Sequence, residues 1–321
     1  MPRDLRALPK ANLHLHLTGS MQPSTAAELA AGYGLPPLPA VPIEPGVVRG
    51  WDAFQARYDT ARAAVRSAED IARVVREAVE HDAADGVGWT ELQVDPTSYA
   101  GRLGSLEAVV EALLDGARGL PIGVILAASW GADPEHAERI AGLAVRYAAD
   151  GVLGFGLSND ERRGRVGDFV PTFRLVADAG LARVPHAGFY EGAWHVRECV
   201  ELLGATRIGH GLTASDDPSV VALLAERQVT LEVCPTSYPP FGVTSALGAV
   251  PALLAGGVPV ALASDDPLLF GVGVRGQYEI VREVCSDSEL ATIAAASIRA
   301  SHAPAGLQRQ LLAGVQDWLN G

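Results

Sequence analysis

The sequence predicts an α/β fold, a closed (β/α)8 TIM barrel with extra C-terminal helices. Two patterns predict it. Eight strand-like segments alternate with helix-like segments from end to end, the order of parallel βαβ units. Polar, ligand-competent residues also stand at the ends of several of those strands, and a barrel gathers its site at the C-terminal ends of its strands. A chain of 321 residues suits such a barrel, which takes about 250 residues plus insertions.

The first strand, residues 12–17, reads Asn-Leu-His-Leu-His-Leu. Period two places His14 and His16 on one face and the leucines on the other. Two imidazoles one residue-pair apart can hold one cation; the other reading is a buried strand with two hydrogen-bonded histidines. A Pro-rich insertion at 34–50 and a helical pattern at 68–85 lead to strand 87–94. Then come helix 106–116, strand 122–128, helix 134–149, strand 152–157, helix 170–179 and strand 183–186. Helix 195–203, strand 207–210, helix 218–226, strand 230–234, helix 246–255 and strand 259–264 complete the alternation. Gly or Pro marks most junctions, as in Asp85-Gly86, Asp150-Gly151 and Gly256-Gly257. Residues 275–319 supply the extra helices. A doubly wound open sheet would want a Gly-rich phosphate turn early, and Thr18-Gly19-Ser20 is not G-x-G-x-x-G. No repeat or linker interrupts the pattern, so a single domain over 1–321 is expected.

A net charge of −13 disfavours a nucleic-acid backbone or an anionic membrane as partner. No stretch approaches the ~20 apolar residues of a membrane span, and the first residues lack the apolar core of a secretory signal. The three cysteines, Cys199, Cys234 and Cys285, form no C-x-x-C and no disulfide framework. A cytoplasmic location is expected. Nothing in the sequence fixes an oligomeric state.

The strand ends carry the chemistry. They are His14 and His16; Ser158-Asn159-Asp160-Glu161; His186-Ala187-Gly188; His210-Gly211; and Ser264-Asp265-Asp266-Pro267. Each has a structural alternative, such as a satisfied core histidine or a helix cap, but one structural cause does not cover them all. The set resembles the adenosine deaminase family of zinc (β/α)8 hydrolases. The matching segments are Lys-Ala-Asn-Leu-His-Leu-His-Leu (10–17), Gly-Phe-Gly-Leu-Ser-Asn-Asp-Glu (154–161) and Pro-His-Ala-Gly (185–188). Arg-Ile-Gly-His-Gly (207–211), Glu-Val-Cys-Pro-Thr-Ser (232–237) and Ser-Asp-Asp-Pro (264–267) complete them.

The resemblance implies one Zn2+ per chain, held by His14, His16, His186 and Asp265. It implies His210 and Asp265 as catalytic residues, with His210 orienting the attacking water. Asp266 would face a ring nitrogen of a purine nucleoside or related cyclic amidine. Imidazole and carboxylate ligands suit zinc chemically. The sole lysine, Lys10, precedes the first strand. It cannot bridge two metals as a later-strand lysine does in other His-x-His barrels, so a mononuclear site is expected.

Three positions depart from the family. His186-Ala187-Gly188 is followed by Phe189, where the family carries a Glu that protonates the purine ring. Losing a general acid–base group costs about 10² to 10⁴ in rate. Glu191 is one substitute; its other reading is a solvated residue at a helix start. Glu91, at the end of the second strand, is another carboxylate expected to face the same mouth; Thr90-Glu91-Leu92-Gln93 resembles the family's Glu-Leu-Arg segment, which implies a structural role. Thr18 replaces an Asp that reaches the ribose, and Asn159 replaces a Gly at the purine edge. Thr18, Asn159, Asp266 and Phe189 are thus the expected substrate contacts. The Thr18 and 158–163 pattern resembles a branch that includes aminofutalosine deaminases. There Arg162 and Arg163 would meet an aryl carboxylate, and Tyr238 and Trp194 would add aromatic bulk. The expected activity is hydrolytic deamination or a variant of it. The alternative is a zinc-binding paralogue that holds a nucleoside-like ligand without converting it.

Overall fold

A computed structural model gives the architecture and describes residues 2–38, 49–243 and 245–321. Eight strands follow one another around the sheet in chain order. They are β1 (Lys10–His16), β2 (Val87–Val94), β3 (Ile122–Ser129), β4 (Val152–Ser158), β5 (Ala182–Ala187), β6 (Arg207–His210), β7 (Thr230–Val233) and β8 (Val260–Leu262). Every neighbouring pair is parallel. The ring closes through Asp265, just beyond β8. Its N–H donates to the His14 carbonyl (2.9 Å), and its carbonyl accepts from the His16 N–H (3.1 Å). Closure therefore runs through three residues expected to bind the metal.

Local sequence explains the helices between the strands. In the helix Ala68–Ala84, Ser67 and Asp70 form a capping box, and Ile71, Val74, Val75 and Ala78 make a buried stripe at helical spacing. That stripe packs on the outer face of the barrel, where Leu92 and Val94 of β2 also point. Trp89, Glu91 and Gln93 take the opposite face of β2, as period two requires. The helices Val274–Val281, Asp287–Ala300 and Ala305–Asn320 form the expected C-terminal addition. The turn before the last of them carries Ala303 against Ala11, Leu13, Trp89 and Ala261.

Two details differ from the sequence reading. The register of β1 against β2 shifts between Asn12 and Leu15. Leu13 therefore packs beside Trp89, while Leu15 and Leu17 join the outer core. An irregularity in pairing re-aims a side chain, so the leucines do not share one face. A helix at Trp51–Arg62 was not expected at all. Of the insertion at 34–50, residues 39–48 lie outside the described residues. No described helix is long and apolar enough to cross a membrane.

Candidate active site

Five side chains from β1, β5, β6 and the segment after β8 converge at the C-terminal end of the barrel. Asp265 Oδ1 lies 3.3 Å from His16 Nε2 and 3.5 Å from His14 Nε2. His186 Nε2 lies 3.3 Å from His16 Nε2. Two triplets, His14–His16–His186 and His14–His210–Asp265, each bring their ligand atoms within 4.8 Å. His14 Nε2, His186 Nδ1 and His210 Nδ1 are buried without a hydrogen-bond partner among the described residues. Imidazole nitrogens turned on one another and on a carboxylate, several of them without a partner, are a donor set that fits a divalent metal such as zinc.

A second layer orients the first. The His14 Nδ1–H donates to Glu232 Oε2 (3.0 Å), which fixes the ring with Nε2 turned toward Asp265. Glu232 Oε1 accepts from Arg207 Nε (2.6 Å), and Arg207 Nη2 donates to Glu91 Oε2 (2.5 Å). Glu91 Oε1 accepts the His302 N–H (2.6 Å) and the Trp89 indole N–H (3.2 Å). Glu91 is thus structural, as expected, but it faces the barrel core rather than the mouth. This chain of charges fills the barrel core beneath the histidines, and none of Glu91, Arg207 and Glu232 exceeds 2% exposure. Lys10 is occupied with the carbonyls of Leu5 and Asp85, away from the site.

The electrostatics separate the groups. Burial pulls His16 down to about 4, His210 down to about 3, and His186 well below its ordinary value, so all three are neutral at pH 7. Burial opposes charge on His14 as well, but Asp265 and Glu232 prevail and raise it to about 10. Burial would raise Asp265; the His14 imidazole 3.5 Å away and the other surrounding histidines hold it well below the carboxylate range. Its Oδ2 accepts from Ser237 Oγ (2.7 Å). Burial and the neighbouring Asp265 push Asp266 well above that range. The Asp266 Oδ1 is buried without a hydrogen-bond partner among the described residues.

The backbone is strained where these groups meet. Asn159 (φ 67°), His210 (φ 68°) and Asp265 (φ 58°) all adopt the left-handed region, which disfavours any side chain. At Gly209 an added Cβ would stand 2.8 Å from His14 Cε1 and 3.1 Å from His186 Cγ, so only glycine lets the two rings approach.

Above the ligands lies a cavity walled mainly by aromatic rings. His16, His186, His210, Asp265 and Asp266 form its floor, with Asn159 and Phe189 at the side. The helix Trp51–Arg62 supplies Trp51, Phe54 and Tyr58, and later loops add Phe241 and Phe270. Phe54 stacks on Phe270 with centroids 5.7 Å apart and an interplanar angle of 5°. The ring of Phe189 lies 4.8 Å from that of His210 and 5.1 Å from Phe241. No carboxyl group is carried at that position.

Some expected contacts are placed elsewhere. Thr18 does not line the cavity; its hydroxyl bonds that of Tyr99 (2.7 Å), which does. The Glu191 side chain is not part of the wall, and its N–H donates to Glu161. Arg162 makes a two-point contact with Asp160 and lies 3.9 Å from the Tyr190 ring centroid. Neither Arg162 nor Arg163 reaches the cavity; Arg62 does. Trp194 is 52% exposed, and Tyr238 sits behind Phe189 with its hydroxyl accepting the Cys234 N–H.

Glu161 had no assigned role in the sequence. Its Oε1 accepts three successive N–H groups, from Phe189, Tyr190 and Glu191 (2.9, 2.6 and 2.6 Å). It thereby fixes the turn that carries Phe189. Only its place in the Ser-Asn-Asp-Glu segment hinted at this. The aromatic wall from Trp51–Arg62 gave no motif signal.

Comparison with known proteins identifies relatives along nearly the whole chain. The family model described as Adenosine deaminase matches residues 9–318. A protein of Streptomyces virginiae named putative adenosine/adenine deaminase is 48% identical, with 99% of each chain covered. An aminodeoxyfutalosine deaminase of Streptomyces coelicolor is 33% identical over 94% of this chain and 83% of its own. The crystal structure of an adenine deaminase from Arthrobacter aurescens superposes with a TM-score of 0.85 at 30% identity, covering 98% of this chain and 99% of the other. With nearly its whole length matched by the family model, a 48% identical relative and a solved barrel structure, the chain belongs to the adenosine deaminase family of hydrolases.

Proposed function

We propose that this protein is a zinc-dependent hydrolase that deaminates a purine base, a purine nucleoside or a related cyclic amidine by a route altered at Phe189. The observation that carries the reading is the convergence of His14, His16, His186 and Asp265 under one cavity, with His210 beside them. Zinc bound by those four residues would act as a Lewis acid and acidify a water at neutral pH. His210, neutral at the cavity floor, would orient an attacking water toward the ring carbon. Asp265, ionised, would take that water's proton and return it to the departing amine, which leaves as ammonia. Asp266, which lines the cavity with its Oδ1 unpartnered, faces a ring nitrogen and holds the heterocycle in place. Asn159 and Phe189 line its edge and face, and the aromatic roof excludes bulk water. Relatives named for adenine, adenosine and aminodeoxyfutalosine support a purine-like substrate.

Phe189 cannot protonate a ring nitrogen. Adenosine is therefore expected to react at least about 10²-fold below ordinary family rates. The test is mass spectrometry of a panel of bases and nucleosides incubated with zinc-loaded protein, watching for NH2 replaced by OH. Conversion of at least one member, lost by about 10²-fold in His210→Gln with zinc retained, supports the hydrolase. Adenosine turnover at a kcat/KM near ~10⁴–10⁸ M⁻¹s⁻¹ refutes the altered route. A Phe189→Glu variant that deaminates adenosine faster supports it. The packing of Phe189 on His210 favours one second reading, a paralogue that binds without converting. Micromolar binding with no conversion, unchanged in His210→Gln, would establish that instead.

A further inference from the structure

Gln93, the penultimate residue of β2, pairs in register with His16 of β1 and lines the same cavity. It is 1% exposed. Neither Oε1 nor Nε2 has a hydrogen-bond partner among the described residues. Glu91, two residues earlier on the same face, is by contrast saturated with donors. A buried amide without partners destabilises the fold. One that faces a binding cavity is explained when its partner is the ligand. On the flank of Oε1, Gly156 presents no side chain.

An amide edge offers one acceptor and one donor side by side. Its complement is a neutral edge with donor next to acceptor, as in a lactam or an amidine. A carboxylate or phosphate would leave Oε1 unpaired, and a hydrocarbon would leave both atoms unpaired. Glutamine makes this two-point contact with nitrogen heterocycles in nucleic-acid recognition, where it pairs with the donor and acceptor of adenine. We infer that Gln93 determines substrate specificity by reading, through both amide atoms, a donor–acceptor edge of a neutral nitrogen heterocycle. This inference rests on the proposed function, because it assigns the substrate of that same cavity.

The test is calorimetric titration of zinc-loaded wild type, Gln93→Met and Gln93→Glu with three probes. Hypoxanthine presents a lactam edge, indole presents a donor alone, and protonated 2-aminopyridine presents two donors. Gln93→Met should bind hypoxanthine about 10- to 100-fold more weakly than wild type and indole equally well. Gln93→Glu, which only accepts, should prefer 2-aminopyridine to hypoxanthine. Without ligand, Gln93→Met should melt at or above the wild-type temperature, because it removes an unpaired amide. Hypoxanthine binding by Gln93→Met within threefold of wild type, or a fall of several degrees in its ligand-free Tm, overturns the inference alone. Failure of the wild type to bind any base or nucleoside overturns the proposed function and this inference together.

Discussion

Replacing Glu232 with Gln isolates what the second layer contributes. Glu232 receives two donors, His14 Nδ1–H and Arg207 Nε–H, on its two oxygens. Gln keeps the volume and one acceptor oxygen but turns an NH2 toward the other donor. Either Arg207 or His14 then faces a donor inside a region of no more than 2% exposure. Breaking a buried ion pair from one side costs about 3–5 kcal/mol. Loss of an outer-shell carboxylate lowers metal affinity by about 10- to 100-fold, which is ~1.4–2.7 kcal/mol. The two costs are separable. Urea unfolding of chelator-treated protein reads the first, and competition for zinc against a colorimetric chelator reads the second. In a double-mutant cycle, Arg207→Met should cost less in the Glu232→Gln background than in wild type, with coupling of about 0.5–3 kcal/mol. The reasoning is refuted if chelated Glu232→Gln loses under ~1 kcal/mol and holds zinc within about threefold of wild type.

The remaining expectations concern metal and pH. Elemental analysis of His14→Ala plus His16→Ala should find the zinc gone; full retention would remove both residues from the ligand set. Burial would raise Glu91, but Arg207 and His302 outweigh it and hold the carboxyl at about 2, against an ordinary value of 4.5. A folded pKa below the unfolded one gives stability that is complete above pH 4.5 and disappears as pH falls toward 2, about 3 kcal/mol in all. The stability gap between wild type and Glu91→Gln, read from urea melts, should therefore narrow steadily below pH 4.5. A gap that stays constant down to pH 3 would show that Glu91 is not held by charge.

The sequence by itself determined the strand order and most strand positions to within a residue or two. Period-two and period-3.6 patterns report local backbone, and Gly and Pro mark where each ends. It also pointed to the four histidines and the Asp265–Asp266 pair that meet at one rim, because a parallel barrel carries every strand end there, but not to the loop residues around them, where Thr18, Arg162 and Trp194 lie outside the cavity. Tertiary structure decided how they meet. The register shift in β1 that separates Leu13 from Leu15 arises from pairing with β2, which no local pattern encodes. Asn159, His210 and Asp265 are of the types that most tolerate the left-handed region, yet which of the chain's Asn, His and Asp residues adopt it depends on the turns they enter after their strands. Glu161 beneath the Phe189 turn, the roof from Trp51–Arg62 and the unpaired amide of Gln93 depend on contacts between segments distant in sequence. Spacing along the chain fixes the face a side chain takes. Its partners there are set only when the strands close on one another.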